Sequence, residues 1–390
     1  MLDPASFIWL LLPLGVALGW ALARQMHLPS SSTSSRSDTG VTAQSASGRG
    51  HIPPQSSGKA LSELGVTADQ IDLTSEELKH VLGEAFRERG DVAHAIALHE
   101  GMIEATHGDA NAADAIRLEL ARDYLKAGLM DRAEALLEDL VQRGAQLVPA
   151  LQLSLEVYEQ SHEWKRAAIA AERLQSVEGK DLRQLRAHYR CEMAEQLWAE
   201  GDQAQAQEHA RRALEICPQS ARASLLVGDF SEKQGDLMGA RKAWQRVPQQ
   251  DPRLVAEVLP RMARACAAPD QQATLSEFLE AAAAAAPDSA SVTLERARLL
   301  GMRGGDAAVF LADQLAGHLH WRGLLAWLDV QSTRHPEAYG LAPLRDALRK
   351  RLQGASGYRC TSCGLTPKLL FWQCPNCKHW GTVIPDADHA

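Results

Sequence analysis

The chain has 390 residues, of which 45% are hydrophobic, and its formal net charge is −8. This length exceeds one ordinary domain, so we expect several units. The acidic balance, together with the lack of a long Lys/Arg block, excludes the electrostatic footprint of a nucleic-acid-binding protein. Aromatic residues make up only 5% of the chain, and the abundance of Ala, Leu, Glu, Gln and Arg favours helix over strand.

An uncharged run opens the chain, with residues 7–23 reading FIWLLLPLGVALGWALA. Its length, about 17 residues, is at the short end of what crosses a bilayer as a helix. A cleaved signal peptide is the alternative, but Asp3 precedes the run and no Lys or Arg does. Arg24 on the C-terminal flank places the bulk of the chain in the cytoplasm by the positive-inside rule. We predict a single transmembrane anchor at residues 1–27, with a periplasmic N-terminus.

Residues 28–60 are rich in Ser, Gly and Pro and carry almost no large apolar side chain. Such a segment cannot bury enough apolar surface to fold. We therefore predict a flexible linker between the anchor and the rest of the chain.

A repeat follows the linker. The segments GDQAQAQEHARRALEICP, at 201–218, and GDLMGARKAWQRVPQQDP, at 235–252, align without a gap. Their offset equals the period of about 34 residues of the tetratricopeptide helix-turn-helix unit. The aligned positions suit that unit, because Gly permits the turn between its helices, small Ala lets them pack closely and Pro ends the second helix. Related segments surround Gly90, Gly128 and His162. We predict a tetratricopeptide array at residues 61–352.

Several conspicuous side chains fit the packing of such an array. Four tryptophans recur at helical positions and are interpreted as packing residues between repeats: Trp198, Trp244, Trp321 and Trp327. Three isolated cysteines are interpreted as small buried apolar residues: Cys191, Cys217 and Cys266. The sequence contains no Gly-rich phosphate loop, nucleophile elbow or HExxH motif, so it does not indicate an enzyme.

The remaining cysteines form two Cys-x-x-Cys pairs near the end of the chain: Cys360, Cys363, Cys374 and Cys377. Each pair offers two thiolates from one tight turn, and two facing turns enclose an ion tetrahedrally. Two disulfides or a redox pair are the alternatives, but a cytoplasmic location disfavours disulfides and a redox motif does not explain two pairs. We predict one tetrahedral metal ion per chain, iron or zinc, held by these four residues.

The segments YRCTSCG and LLFWQCPNCKHWGTVIP resemble the rubredoxin-type metal-binding domain that ends members of the lipopolysaccharide assembly protein B (LapB) family. An anchor and a tetratricopeptide array occur in the same order in that family, and its four metal-binding cysteines correspond to those of the two pairs. The sequence departs from the family where a first repeat usually follows the anchor, because the linker and a weakly patterned segment stand there. The resemblance places the metal-binding domain at residues 357–385.

The resemblance implies a regulator in the inner membrane of Gram-negative bacteria. Members of the family restrain lipopolysaccharide synthesis by promoting degradation of the lipid A deacetylase through the membrane protease FtsH. The implied partners are this protease and the deacetylase, with other inner-membrane lipopolysaccharide proteins and a homodimer left open. No nucleic-acid partner is expected.

We therefore expect an all-α tetratricopeptide superhelix with an N-terminal transmembrane helix and a small C-terminal rubredoxin-like metal knuckle domain, here called the knuckle domain. The LLFW segment and Trp380 are expected to lay this domain against the last helices as a cap. The alternative functions are rubredoxin-like electron transfer and a general scaffold at the membrane.

Overall fold

The computed structural model describes residues 76–106, 109–338, 340–353 and 357–386. The predicted anchor at 1–27 and linker at 28–60 lie outside these residues. Among the helices described, none combines the length and the apolar character that crossing a bilayer requires.

The described chain is mostly helical, and its helices follow one another as hairpins. The first hairpins consist of α1 (Glu76–Glu88) with α2 (Val92–Ala105), α3 (Ala110–Lys126) with α4 (Met130–Arg143), α5 (Leu147–Gln160) with α6 (Trp164–Glu178), and α7 (Arg183–Glu200) with α8 (Gln203–Ile216). Next come α9 (Ala221–Lys233) with α10 (Leu237–Trp244) and the short α11 (Val247–Gln250), then α12 (Val255–Ala265) with α13 (Gln272–Ala285). The last are α14 (Ala290–Met302) with α15 (Ala307–Gly317), and α16 (Trp321–Arg334) with α17 (Leu341–Gln353). This architecture confirms the predicted tetratricopeptide-like array for the described residues.

The turns inside the hairpins explain the spacing of the glycines. Gly201 and Gly235 have φ of 92° and 84°, in the left-handed region that favours glycine. His162 occupies the equivalent turn of the α5–α6 hairpin with φ of 58°, so a side chain is accepted there. Ala206 and Ala240, five residues beyond the two glycines, are fully buried where the paired helices meet. These contacts confirm the roles that the sequence predicts for Gly and Ala.

Most of the packing predictions hold. Trp244 is fully buried and donates its Nε1–H to the carbonyl of Leu225, while Trp198 stacks on Phe230 with ring centroids 4.2 Å apart. The prediction is wrong for Trp321, which begins the last hairpin and is 45% exposed. Cys191 and Cys266 are buried as expected. Cys217, in contrast, is only half-buried. Its Sγ–H donates to the Gln184 amide oxygen at 2.9 Å.

Ion pairs join neighbouring repeats at about one repeat's separation along the sequence. They include Arg87 with Glu119, Arg261 with Asp229, and Arg264 with Glu232. Because these pairs are partly solvent-exposed, each contributes only about 0–1 kcal/mol to stability. Their regular spacing indicates that they help to set the register between repeats.

The knuckle domain follows the last hairpin. Strands β1 (Tyr358–Cys360) and β2 (Val383–Pro385) pair antiparallel, with Cys360 opposite Val383. An isolated antiparallel β-bridge pairs Gln373 with Trp380, which lie on either side of the second cysteine turn. The first Cys-x-x-Cys turn therefore begins at the end of β1, and the second lies in the segment between β1 and β2.

Candidate metal centre and its contact with the repeats

The structure brings the four predicted cysteines together. Their sulfur atoms all lie within 4.8 Å of one another. The Sγ–Sγ distance is 3.7 Å both between Cys360 and Cys377 and between Cys363 and Cys374. A tetrahedral ion with metal–sulfur bonds of about 2.3 Å separates its sulfurs by about 3.8 Å. The donor set and its spacing therefore fit one tetrahedral thiolate-bound ion.

The two cysteine turns have the same hydrogen-bond pattern. In the first, the Gly364 amide donates to the Cys360 carbonyl at 3.0 Å, and the Cys360 amide donates to Leu365. In the second, the Lys378 amide donates to the Cys374 carbonyl at 2.9 Å, and the Cys374 amide donates to His379. Gly364 and Lys378 both have positive φ, of 76° and 60°. The two turns thus have the same local conformation, and each contributes two cysteines to the site.

The sulfur atoms differ in exposure. Cys360 and Cys374 are buried, whereas Cys363 is exposed and Cys377 is half-buried. Thr382 Oγ1 lies 3.3 Å from the Cys360 Sγ, and this hydrogen bond lowers the pKa of the Cys360 thiol to about 6. A thiol with a lowered pKa supplies the thiolate form that binds metals. The four cysteines are free thiols in this structure, with sulfur separations above the disulfide bond length of about 2.05 Å.

Glu159, at the end of α5, anchors the knuckle domain to the repeats. Its Oε1 accepts hydrogen bonds from the Trp380 indole N–H at 3.0 Å and from the Tyr189 hydroxyl, and its Oε2 accepts from the Gln373 amide at 2.8 Å. Burial raises the pKa of Glu159 in spite of these donors. One carboxylate therefore satisfies donors from two knuckle residues and from the neighbouring repeat.

The Trp380 indole fills a pocket between repeats. It packs edge-on against Trp164 and Tyr189, with centroids 6.0 and 5.8 Å away, and stacks on His188 at 5.2 Å. Burial, with Arg222 as a second cause, lowers the pKa of His188 to about 3. His188 is therefore neutral at physiological pH and presents an uncharged ring to the indole.

Arg222 lies beneath both knuckle tryptophans. Its guanidinium carbon is 5.3 Å from the Trp372 ring centroid and 5.9 Å from that of Trp380. The side chain is 1% exposed and pairs with Glu192 and Glu195 at 2.8 and 2.7 Å. A planar guanidinium can stack on an aromatic face and bind carboxylates at once, which Lys cannot match. Arg222 thus joins the repeat ion pairs to the knuckle domain.

A further contact lies one repeat beyond. The Tyr358 hydroxyl donates to Glu257 Oε1 at 2.6 Å, and Leu370 and Trp372 pack on the core around α10 to α13. The hydrogen bonds between the described knuckle residues and the repeats thus reach Glu159 and Glu257, in the middle of the array. The expectation that this domain caps the last helices is wrong.

The sequence indicates the four cysteines and Trp380 but not their partners on the repeats. Glu159, His188 and Arg222 lie in ordinary helical context and carry no motif. Arg222 and His188 are one 34-residue period apart, so they occupy equivalent positions of successive repeats. Their contacts with the knuckle domain join distant parts of the chain, which no local pattern indicates.

Residues 358–385 match the family described as the rubredoxin metal binding domain. Lipopolysaccharide assembly protein B of Escherichia coli strain K12 is 32% identical over 320 residues, which cover 80% of this chain and 82% of that protein. Its namesake in Haemophilus influenzae is 28% identical over 316 residues, covering 79% of each chain. A solved tetratricopeptide repeat protein from Parabacteroides merdae is 13% identical and covers 62% of this chain and 92% of its own, with a TM-score of 0.33 that is too low to carry an argument. The sequence relationship confirms the expected family: the chain belongs to the lipopolysaccharide assembly protein B family.

Proposed function

We propose that this chain is an inner-membrane adaptor that regulates lipopolysaccharide assembly through protein–protein contacts of its repeats. The observation that carries the proposal is the relationship to lipopolysaccharide assembly protein B over 80% of the chain. Helical repeats support an adaptor role because they present an extended surface to partners. A tether at the membrane raises the local concentration of a captured partner beside a membrane enzyme.

The proposed organisation assigns one task to each segment. Residues 1–27 anchor the chain in the inner membrane, residues 28–60 act as a flexible linker, residues 61–352 form the array and residues 357–385 form the knuckle domain. The N-terminus is periplasmic, and the array and knuckle domain are cytoplasmic. The first repeat of the family is lost or degenerate here.

The proposed metal ligands are Cys360, Cys363, Cys374 and Cys377, which hold one iron or zinc ion. When bound, the ion supplies a cross-link between the two cysteine turns, and site formation is coupled to folding of the domain. Support comes from the sulfur separations of 3.7 Å. A reversible visible absorption band in protein purified without added metal would favour iron and the electron-transfer alternative.

The proposed partners are the membrane protease FtsH and the lipid A deacetylase. In this mechanism the array binds the deacetylase, and the anchor keeps it beside the protease until it is degraded. No step requires catalysis by the adaptor itself. The effective concentration gained by tethering reaches roughly millimolar for suitable linkers.

The test compares cells that carry the full-length chain, a chain lacking residues 1–27, or no chain. We expect the deacetylase to stay low only with the full-length chain, measured by quantitative immunoblot at matched expression. Equal restraint by the anchorless chain would reject the tethering mechanism. An unchanged deacetylase level in cells without the chain would reject the proposed pathway.

A further inference from the structure

A cavity of about 540 Å³ opens between α6, α7 and α8, on a different face of the array from the knuckle domain. On α7 it is lined by Arg186, Arg190, Met193 and Leu197. These residues recur every three or four positions, so they form one stripe of the helix. His188, which contacts Trp380, lies outside this stripe. One helix therefore contacts the knuckle domain on one face and lines the cavity on another.

The cavity carries more positive than negative charge, although the whole chain has a net charge of −8. Its ionised lining residues are Lys165, Arg186, Arg190 and Arg212 against Glu172 and Glu200. Arg186 is already paired with Glu172 at 2.5 Å, and Arg212 pairs with Glu208 at 2.8 Å. The positive charge of the cavity therefore depends on the two remaining cations, Lys165 and Arg190.

Arg190 has no carboxylate partner among the described residues. Its closest polar contact is the His209 ring, where Nη1 lies 3.4 Å from Nδ1. Its Nε is buried and makes no hydrogen bond within the described part of the chain. Burial and the repulsion of Arg212 and Arg186 lower the pKa of Arg190. A half-buried guanidinium is costly in the free protein when the repulsion of Arg212 and Arg186 is opposed only by Glu172, and an incoming anion would relieve that cost.

Apolar side chains complete the cavity. Met193, Leu197 and Ile216 lie along its wall, and Ile169 stands at the rim with 59% of its surface exposed. Ile169 also lines a neighbouring cavity of about 260 Å³ between α4, α5 and α6. The two cavities thus form adjoining parts of one groove across successive repeats.

We propose that this groove binds an acidic peptide segment of a client protein, with a carboxylate of the client paired to Arg190 and an apolar side chain packed on Ile169 and Met193. Charge complementarity supports this occupant, because Arg190 and Lys165 have no carboxylate partner among the described residues and lie beside an apolar wall. Glu172 and Glu200 on the same lining disfavour a multiply charged phosphate, whereas a single carboxylate is suited to a single guanidinium. The inference rests on the proposed adaptor function, since it gives the array a surface for its client.

The test measures binding of a fluorescent 12-residue peptide with one Glu beside one Leu in an otherwise Ser/Gly sequence to the full-length chain in detergent by fluorescence anisotropy. We expect binding to the Glu/Leu peptide and not to peptides with Gln or Lys in place of Glu. Arg190→Gln should weaken binding about tenfold, as expected for the loss of a charge-assisted hydrogen bond. Ile169→Ser should weaken it as well, because the exposed Ile169 contributes to binding without being part of the core.

Arg264→Gln is the matched control, since Arg264 is an exposed, paired arginine outside the groove. It should bind the peptide like the unaltered chain. Thermal unfolding separates binding from folding: Arg190→Gln should unfold at the same or a higher temperature, because it removes repulsion from Arg186 and Arg212. A lower unfolding temperature would assign Arg190 a structural role and overturn the proposal.

Three other results would also overturn the site: equal affinity for the Gln-substituted peptide, unaltered affinity of Arg190→Gln, or binding of phosphatidylglycerol vesicles and not of the peptide. Peptide binding that depends on Arg190, combined with an unchanged deacetylase level in cells without the chain, supports the groove and rejects the proposed pathway. The two proposals can therefore fail independently.

Discussion

At the scale of residues, His188 links the contact of the knuckle domain to pH. Its folded-state pKa of about 3 lies below the unfolded value of about 6.5. The unfolded chain therefore binds the proton more readily between these values, and stability falls as the pH decreases below 6.5. We expect His188 to account for a loss of about 2 kcal/mol in the free energy of unfolding between pH 7 and pH 5.

The measurement is urea unfolding of the unaltered chain and of His188→Phe at both pH values. Phe keeps the ring that faces Trp380 but cannot bind a proton, so the difference between the two proteins isolates His188 from other titrating groups. Glu159 titrates in the opposite sense, because burial raises its pKa. Identical pH profiles of the two proteins would contradict the prediction.

At the scale of elements, the turn glycine Gly201 and the helix glycine Gly101 should respond oppositely to alanine. Gly201 has φ of 92°, and a Cβ placed there would meet nothing within 4 Å, so the cost of Ala is backbone strain alone. We expect Gly201→Ala to lower the free energy of unfolding by about 1 kcal/mol. Gly101 lies inside α2 with open space at its Cβ position, and Gly101→Ala should raise stability by about 0.5–1 kcal/mol.

Urea unfolding of both variants checks this prediction. The pair controls for the loss of glycine in the unfolded chain, which is the same for each substitution. Equal signs for the two changes would show that the turn conformation is not what selects glycine at position 201.

The elements could be predicted because their signals are local. The positive φ of Gly201 and Gly235 and the burial of Ala206 arise within one hairpin, so the sequence of that hairpin contains them. The cysteine turns are equally local, since the backbone hydrogen bonds of Cys360 and Cys374 close within five residues. Such patterns identify a repeat or a metal site without knowledge of the rest of the chain.

The position of the knuckle domain could not be predicted in this way. The bond between Trp380 and Glu159 joins residues 221 positions apart, and nothing in the sequence around Glu159 indicates a partner. A cap was expected because a terminal repeat exposes an apolar face that needs covering. The half-buried Glu159 and the buried Arg222 instead fix the contact, because each needs partners that the middle of the array and the knuckle domain supply together. Trp321 and Leu344 of the last hairpin keep 45% and 54% of their surface exposed.

At the scale of the whole molecule, the knuckle domain connects repeats that are not adjacent in the sequence. If the four cysteines hold the proposed metal, its removal should loosen this domain and release its bonds to Glu159 and Glu257. We expect amide hydrogen exchange to increase in α5, α7, α9 and α12, whose polar side chains lose their partners in the knuckle domain. The α3–α4 hairpin, which includes Arg143 paired to Asp114, should keep its protection.

The measurement is hydrogen exchange with mass spectrometry on the full-length chain before and after treatment with a chelator. Cys374→Ser should give the same pattern without a chelator, because it removes a buried member of the cysteine cluster. An increase spread evenly over all hairpins would indicate global unfolding. Unchanged exchange in α5 and α7 would show that the metal does not support the contact.

The bonds from the knuckle domain to the middle of the array also affect the order in which the protein is completed during synthesis. Chains are made from the N-terminus, and helical hairpins can form as they leave the ribosome. A nascent chain that has reached Gln353 contains all the described helices, yet Glu159, His188 and Arg222 still lack the partners that Trp372, Gln373 and Trp380 provide. Until residues 357–386 emerge, these polar groups at the centre of the array remain open to water. The knuckle domain, which is translated after all the described helices, thus completes the packing around them.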